Sequence, residues 1–166
     1  MSNNITLIGM PGSGKSSYGV VVAKKMGYGF VDSDLVIQAK YGKLLWQIIE
    51  EKGLEGFLEI EEETNSAILG ENLVIAPGGS VIYGEKAMKH FKEIGKVVYL
   101  NQPIENLLKS VGDLGTRGVA MKEGQTFEDL YAERTPLYEK YADIVIDCKD
   151  KDGSAIVDEI ISRIRA

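Results

Sequence analysis

The stretch "GMPGSGKSSYG", residues 9–19, decides how the rest of the chain is read. It places Gly9, Gly14, Lys15 and Ser16 in the pattern G-x-x-x-x-G-K-[ST], directly after the apolar run 5–8 and directly before a segment of helical period, 15–26. That order, strand then glycine-rich loop then helix, is the one a phosphate cradle requires. Backbone N–H groups of the loop and of the helix N-terminus face the anion, and the helix dipole favours it. Gly12 and Gly14 let the backbone approach closely, Lys15 can bridge β- and γ-phosphates, and the Ser16 hydroxyl can sit on Mg²⁺. The nucleotide-binding set is therefore Gly12, Ser13, Gly14, Lys15, Ser16 and Ser17.

Outward from the loop, short apolar runs alternate with longer segments of helical period. Strands are expected at 5–8, 30–32, 73–76, 97–100 and 144–146. Helices are expected at 15–26, 34–40, 44–51, 54–69, 84–91, 103–111, 126–141 and 154–164. This is the pattern of βα units around a parallel sheet. Pro103 fits a first helical turn, Gly27 and Gly70 fit positions just past helix ends, and Pro136 is expected to kink or split the 126–141 segment. The stretch 112–125, "GDLGTRGVAMKEGQ", has no clear period, and its glycines suggest a mobile lid.

The 166 residues suffice for one core and are too few for two ordinary domains. The apolar fraction is 44 % and no apolar run approaches the ~20 residues of a membrane helix, so no membrane association is expected. The start, MSNNITLIG, carries no secretory pattern, which predicts a cytoplasmic protein. A net charge of −6 with no Lys/Arg cluster argues against nucleic acid, whose binding draws on phosphate neutralisation. Cys148 stands alone and reads as a small buried residue near a strand end, and His90 as a surface residue. Trp46 with Leu45, Ile48 and Ile49 reads as a helix packing face.

The second strand ends "FVDSD", residues 30–34, which brings Asp32 and Asp34 to the carboxyl edge where open parallel sheets bind ligands. One carboxylate can hold a magnesium-bound water while the other orients or deprotonates an attacking hydroxyl. A helix cap is the competing explanation, since Asp is favoured just before a helix.

With "GMPGSGKSS", "FVDSD", "APGGS", "TRG" and "ERTPLY" in order along nearly the whole chain, the sequence resembles the shikimate kinases. The resemblance implies an α/β fold of the three-layer P-loop NTPase kind: a five-stranded parallel sheet, a helical substrate-binding region at about 33–62 and a lid at about 112–125, within one kinase domain, 1–166. It implies ATP and Mg²⁺ as cofactors. Lys15, Asp34 and Arg117 would be catalytic, with Asp34 on the accepting hydroxyl and Arg117 reaching the phosphates from the lid. Ser16 and Asp32 would be on the metal side. Gly78 and Gly79 would lie under the substrate, and Arg134 would bind its carboxylate. A guanidinium suits those two arginine roles, because its fork donates bidentately to carboxylate or phosphate, and the chain has only Arg163 and Arg165 besides.

The sequence also departs from the family pattern. The family's F-R-x-x-E reads "FLEIE" at 57–61, so Leu58 stands where an arginine shares the substrate carboxylate and Glu61 loses its usual partner. Ser80 stands where a third glycine is usual, Ser110 where an arginine commonly stacks on adenine, and Gly118 follows Arg117 in place of proline. The substrate set is thus Asp34, Leu58, Glu61, Gly78, Gly79, Ser80 and Arg134. The function expected is transfer of the ATP γ-phosphate to a hydroxyl of a carboxylate-bearing metabolite, shikimate being the best single choice, by a monomer. A kinase of a hydroxy-amino acid or other small acceptor is the alternative, in which Glu61 receives the substrate ammonium. A nucleotide-binding regulatory module without kinase activity is the other, and retention of Lys15, Ser16, Asp32 and Asp34 argues against it.

Overall fold

The structure, a computed structural model, describes residues 2–112 and 114–166. Its strands are β1 (Asn4–Ile8), β2 (Gly29–Asp32), β3 (Leu73–Ala76), β4 (Gly95–Asn101) and β5 (Ile144–Asp147), all parallel in the order β2-β3-β1-β4-β5. The helices are α1 (Lys15–Met26), α2 (Ser33–Tyr41), α3 (Leu45–Ser66), α4 (Glu85–Ile94), α5 (Ile104–Val111), α6 (Leu114–Arg117), α7 (Phe127–Tyr141) and α8 (Gly153–Arg165).

Alternation along the strands sorts the core onto two faces of the sheet. Ile5, Leu7, Val74, Val98 and Ile146 pack with Val22 of α1 and Ile156 and Ile160 of α8. Ile8, Ile75, Val97 and Tyr99 pack with Phe91 of α4, Leu107 of α5 and Leu130 of α7. All five residues of β1 are buried, as a strand covered on both faces must be. Buried Asn4 is satisfied by its own side chain, which donates to the Gly70 carbonyl at 3.0 Å and accepts from Leu73 N at 2.9 Å. A third, smaller apolar cluster of Ile37, Leu45, Ile48, Phe57 and Ala120 joins α2 and α3 to the segment after α6. The carboxyl ends of β1, β2 and β3 thus open toward a helical shelf on one side of the sheet.

The break expected between 44–51 and 54–69 is present: α3 is two helical stretches meeting at Gly53, whose φ of 75° and ψ of 172° are non-helical, open to glycine and strained for other residues. Several other expectations need correction. Pro136 does not split α7: it forfeits one backbone hydrogen bond, and the buried side chains of Leu130, Arg134 and Tyr138 hold the helix to the core on either side. The stretch 112–125 contains α6, and position 113 within it lies outside the described residues. A 3₁₀ turn over Gly79–Tyr83 was not anticipated. Gly70 lies beyond the end of α3, which stops at Ser66. His90 is half-buried, its Nε2 2.7 Å from the Ile68 carbonyl. Leu45 and Ile48 are buried but Trp46 is exposed at the rim of that packing face. Cys148 is buried just past β5, as its composition suggested. Among the described residues no helix is long and apolar enough to cross a membrane.

Candidate active site

The loop after β1 is closed by Ser13 N donating to the Met10 carbonyl at 3.1 Å. Gly12 and Gly14 sit at φ 85° and 95°, left-handed conformations that glycine adopts without a Cβ penalty. Lys15 is buried, and its Nζ donates to the carbonyls of Gly9 at 2.8 Å and Met10 at 2.9 Å. Burial pushes the Lys15 ammonium down to about 7; Asp34 opposes that shift and Arg134 adds to it. The Ser13 hydroxyl is buried beneath the loop with no hydrogen-bond partner among the described residues.

Asp32, the last residue of β2, divides its carboxylate between two tasks. Oδ1 accepts from the backbone N–H groups of Asp34 at 3.0 Å and Leu35 at 3.3 Å, capping α2, while Oδ2 accepts from the Ser16 hydroxyl at 2.8 Å. The cap and the loop contact therefore coexist on one residue. Asp34 lies inside the first turn of α2 and is not the cap. Burial, reinforced by the nearby Asp32 charge, pushes the Asp34 carboxyl up to about 6.

β3 delivers Pro77, Gly78 and Gly79 as a bare floor. A Cβ on Gly78 would stand 2.6 Å from Glu61 Oε2 and 2.8 Å from Asp34 Oδ1, so the need there is for space and not for a special φ. Both of those carboxylate oxygens are buried and unpartnered among the described residues. A Cβ on Gly79 would stand 3.1 Å from Arg134 Nη1 and 3.2 Å from the Gly9 carbonyl, so the floor spans from the phosphate loop to α7. Ser80 Oγ donates to Glu61 Oε1 at 2.5 Å. Burial first, and Asp34 second, push the Glu61 carboxyl up to about 7; the Ser80 hydrogen bond and Arg134 oppose this.

Arg134 is 1 % exposed. Its Nη2 donates to the Ala120 carbonyl at 2.7 Å, its guanidinium lies 5.4 Å from the centre of the Tyr83 ring, and its Nε has no partner among the described residues. One turn along α7, Tyr138 donates to the Gly79 carbonyl at 2.6 Å and stacks on Tyr99 at 5.1 Å. Arg117 is exposed at the end of α6, and Gly118 beyond it, at φ 78°, has no room for a Cβ against Leu45, 2.7 Å away.

These groups surround one cleft of about 150 Å³. Of the residues singled out from the sequence, Gly12, Gly14, Lys15, Ser16, Ser17, Asp34, Glu61, Gly78, Gly79, Ser80, Arg117 and Arg134 line it. Ser13 lies under the loop and Asp32 reaches the site through Ser16. Leu58 does not line the cleft, which corrects its assignment to the substrate set. Its side chain packs at the edge of the Ile37, Leu45, Ile48, Phe57 and Ala120 cluster, and it borders two neighbouring cavities of about 100 and 190 Å³ shared with Tyr83. Sequence reasoning missed Tyr83, Ala120 and Tyr138. Tyr138 was legible as the residue one helical turn after Arg134, whereas Tyr83 reaches the site only through the unanticipated 3₁₀ turn.

The oxygen pair of Ser16 and Asp32 at the mouth of the loop is the donor set a hard cation such as Mg²⁺ takes when most of its ligands are water and phosphate. The Asp34, Glu61 and Arg134 atoms left without partners among the described residues mark the cleft as built for a polar ligand.

Comparison with known proteins agrees with this geometry. The family model described as shikimate kinase matches residues 11–165. A shikimate kinase of Persephonella marina is 36 % identical over 163 residues, covering 98 % of this chain and 99 % of that enzyme, and one of Clostridium botulinum is 33 % identical over 166 residues, covering 99 % and 96 %. The solved shikimate kinase of Acinetobacter baumannii in complex with shikimate superimposes with a TM-score of 0.89 at 30 % identity, over 99 % of this chain and 94 % of that one. The chain therefore belongs to the shikimate kinase family, ATP- and Mg²⁺-dependent enzymes that phosphorylate a hydroxyl group.

Proposed function

We propose that this chain transfers the γ-phosphate of ATP to a hydroxyl of shikimate, acting as a monomer and a single kinase domain, with residues 33–62 contributing the acceptor shelf and 112–125 the lid. The observation that carries the reading is the cleft over Gly78 and Gly79, where an unpartnered aspartate oxygen and an unpartnered arginine nitrogen border the same space as Lys15.

Each residue then has a task set by its surroundings. The amides of Gly12–Ser17 hold the nucleotide phosphates, and Ser13, buried below, keeps the loop in shape. Lys15 exchanges its two carbonyl partners for phosphate oxygens, whose charge offsets the burial that weakens its ammonium. Ser16 and Asp32 hold Mg²⁺, which neutralises charge on the phosphates when bound. Asp34, with its carboxyl near 6, is charged at neutral pH yet close enough to it to take a proton from the acceptor hydroxyl. Arg134 offers its free Nε, and the Nη1 above Gly79, to the acceptor carboxylate. Arg117, on the lid side, stabilises charge on the transferred group.

A second reading has its own observation. Glu61 keeps a buried, unpartnered oxygen beside Asp34, and Leu58 supplies no cation to it. A substrate ammonium would supply that charge, so a hydroxy-amino acid could be held at three points, by Arg134, Glu61 and Asp34. The two readings separate in a coupled ADP-release screen of the purified protein with ATP and Mg²⁺ against shikimate, hydroxy-amino acids, sugar acids and nucleoside monophosphates. Selective turnover of shikimate supports the first, and selective turnover of a hydroxy-amino acid replaces it with the second.

A further inference from the structure

Two residues depart together from the family pattern, Ser80 in the cleft lining and Leu58 in the neighbouring cavity, and both bear on Glu61. With leucine at 58, no arginine fixes that buried carboxyl. The Ser80 hydroxyl, on the 3₁₀ turn, donates to Oε1 at 2.5 Å, and the other oxygen then faces the space above Gly78 alongside Asp34 Oδ1. Behind Glu61 lies the cavity of about 100 Å³ bordered by Leu58, Ser80 and Tyr83. That space gives the carboxyl somewhere to swing if nothing holds it, because rotation about its last side-chain bond is soft.

We infer that Ser80 is a positioning residue for acceptor selection: by tying Glu61 Oε1 it aims Oε2 at the acceptor, so that Glu61 and Asp34 form a two-acceptor wall that selects small carboxylates bearing at least two adjacent donor groups, hydroxyl or ammonium. The inference rests on the phosphotransferase reading and deepens it. The wall is complementary to Arg134, which takes the carboxylate from the other side of the floor. A ligand with a single donor leaves one buried carboxylate oxygen unpaired, and an unpaired buried polar group costs enough to be read as roughly tenfold or more in affinity. Ser80 touches Glu61 and lines the cleft, but its effect is carried through the carboxyl it holds.

The test is a double-mutant cycle on the full chain, Ser80→Ala, Glu61→Gln and the pair, measuring kcat and the KM values for shikimate and for ATP, with Ser80→Thr as the variant that keeps the hydroxyl. The cavity beside Ser80 leaves room for the added methyl group. Ser80→Ala should raise the acceptor KM about tenfold with the ATP KM unchanged, Ser80→Thr should restore most of it, and the double variant should cost no more than Glu61→Gln alone. Additive losses, or an acceptor KM that neither single variant moves while the parent turns over shikimate, overturn the inference and leave the function standing. If the parent uses a hydroxy-amino acid in place of shikimate, the same cycle on that acceptor decides it. Turnover of neither acceptor class removes both the function and the inference.

Discussion

Asp32 joins the second strand to the phosphate loop: its Oδ2 accepts from the Ser16 hydroxyl at 2.8 Å while its Oδ1 caps the helix that carries Asp34. The residue proposed for the metal side therefore also sets the direction in which the proposed base enters the cleft. Replacing Asp32 by asparagine retains an oxygen for the cap but weakens the pairing with Mg²⁺. The variant should fold with a melting temperature close to the parent's, since an uncharged Asn caps nearly as well, and should need markedly more Mg²⁺ for half-maximal rate. A Mg²⁺ requirement identical to the parent's would leave Asp32 as a cap alone.

Lys15→Ala should lower turnover by about a hundredfold or more, because it removes a preorganised positive charge from the position where the γ-phosphoryl group carries its own. The Ser13 N to Met10 carbonyl bond that closes the loop remains without the side chain, so thermal unfolding should stay a single transition. Near-normal turnover would take the loop out of the mechanism.

Asp34→Asn should reduce kcat by about a hundredfold while ATP affinity, measured by titration without acceptor, holds. Asp34 Oδ1 faces the Gly78 floor, away from the caps of α2, so the loss should fall on the acceptor side. Equal turnover in the variant would rule out a base at this position.

Much of this arrangement was legible in the sequence, and the rest was hidden for identifiable reasons. The five strands and the loop follow from apolar runs and a spaced motif, both local patterns. Gly53 was visible as a boundary and the helix breaks there, but that Ile48 and Phe57, on either side of the break, return to one apolar cluster is set by packing that spacing does not report. Leu58 was placed in the substrate set because it stands at the arginine position of the F-R-x-x-E pattern. In the structure its shorter apolar side chain lies outside the cleft lining, against the cluster of Ile48, Phe57 and Ala120, where it gains more than from a polar floor. Ser80 as a donor to Glu61 connects positions 19 residues apart through a turn with no sequence pattern of its own.

The buried carboxyls give the protein's stability a predictable pH dependence. Glu61 is raised from 4.5 to about 7 and Asp34 from 3.8 to about 6, so the folded chain holds these protons more tightly than the unfolded chain does. Stability from these two groups is present in full below about 4 and declines as pH rises through about 6 to 7. Glu61→Gln removes the Glu61 share. Its melting temperature relative to the parent should therefore rise between pH 5 and pH 8, where the parent carries a buried charge and the variant does not. A constant difference across that range would place the Glu61 proton outside the folding equilibrium.

Leu58→Arg should return a cation to Glu61 through the cavity of about 100 Å³ that already lies between them. A charge-assisted pair there should lower the KM for shikimate about tenfold and abolish any turnover of a hydroxy-amino acid, because the guanidinium occupies the charge that an ammonium would need. Acceptor kinetics unchanged by the arginine would show that position 58 has no bearing on the cleft.

Acceptor-dependent phosphoryl transfer is decided by ADP release from the purified chain with ATP and Mg²⁺, with and without shikimate, followed by phosphorus NMR of the product. Release should be negligible without acceptor and one ADP per phosphorylated shikimate with it, and both should be lost in Lys15→Ala. ADP release at the same rate whether or not shikimate is present, with no phosphorylated product, would contradict it.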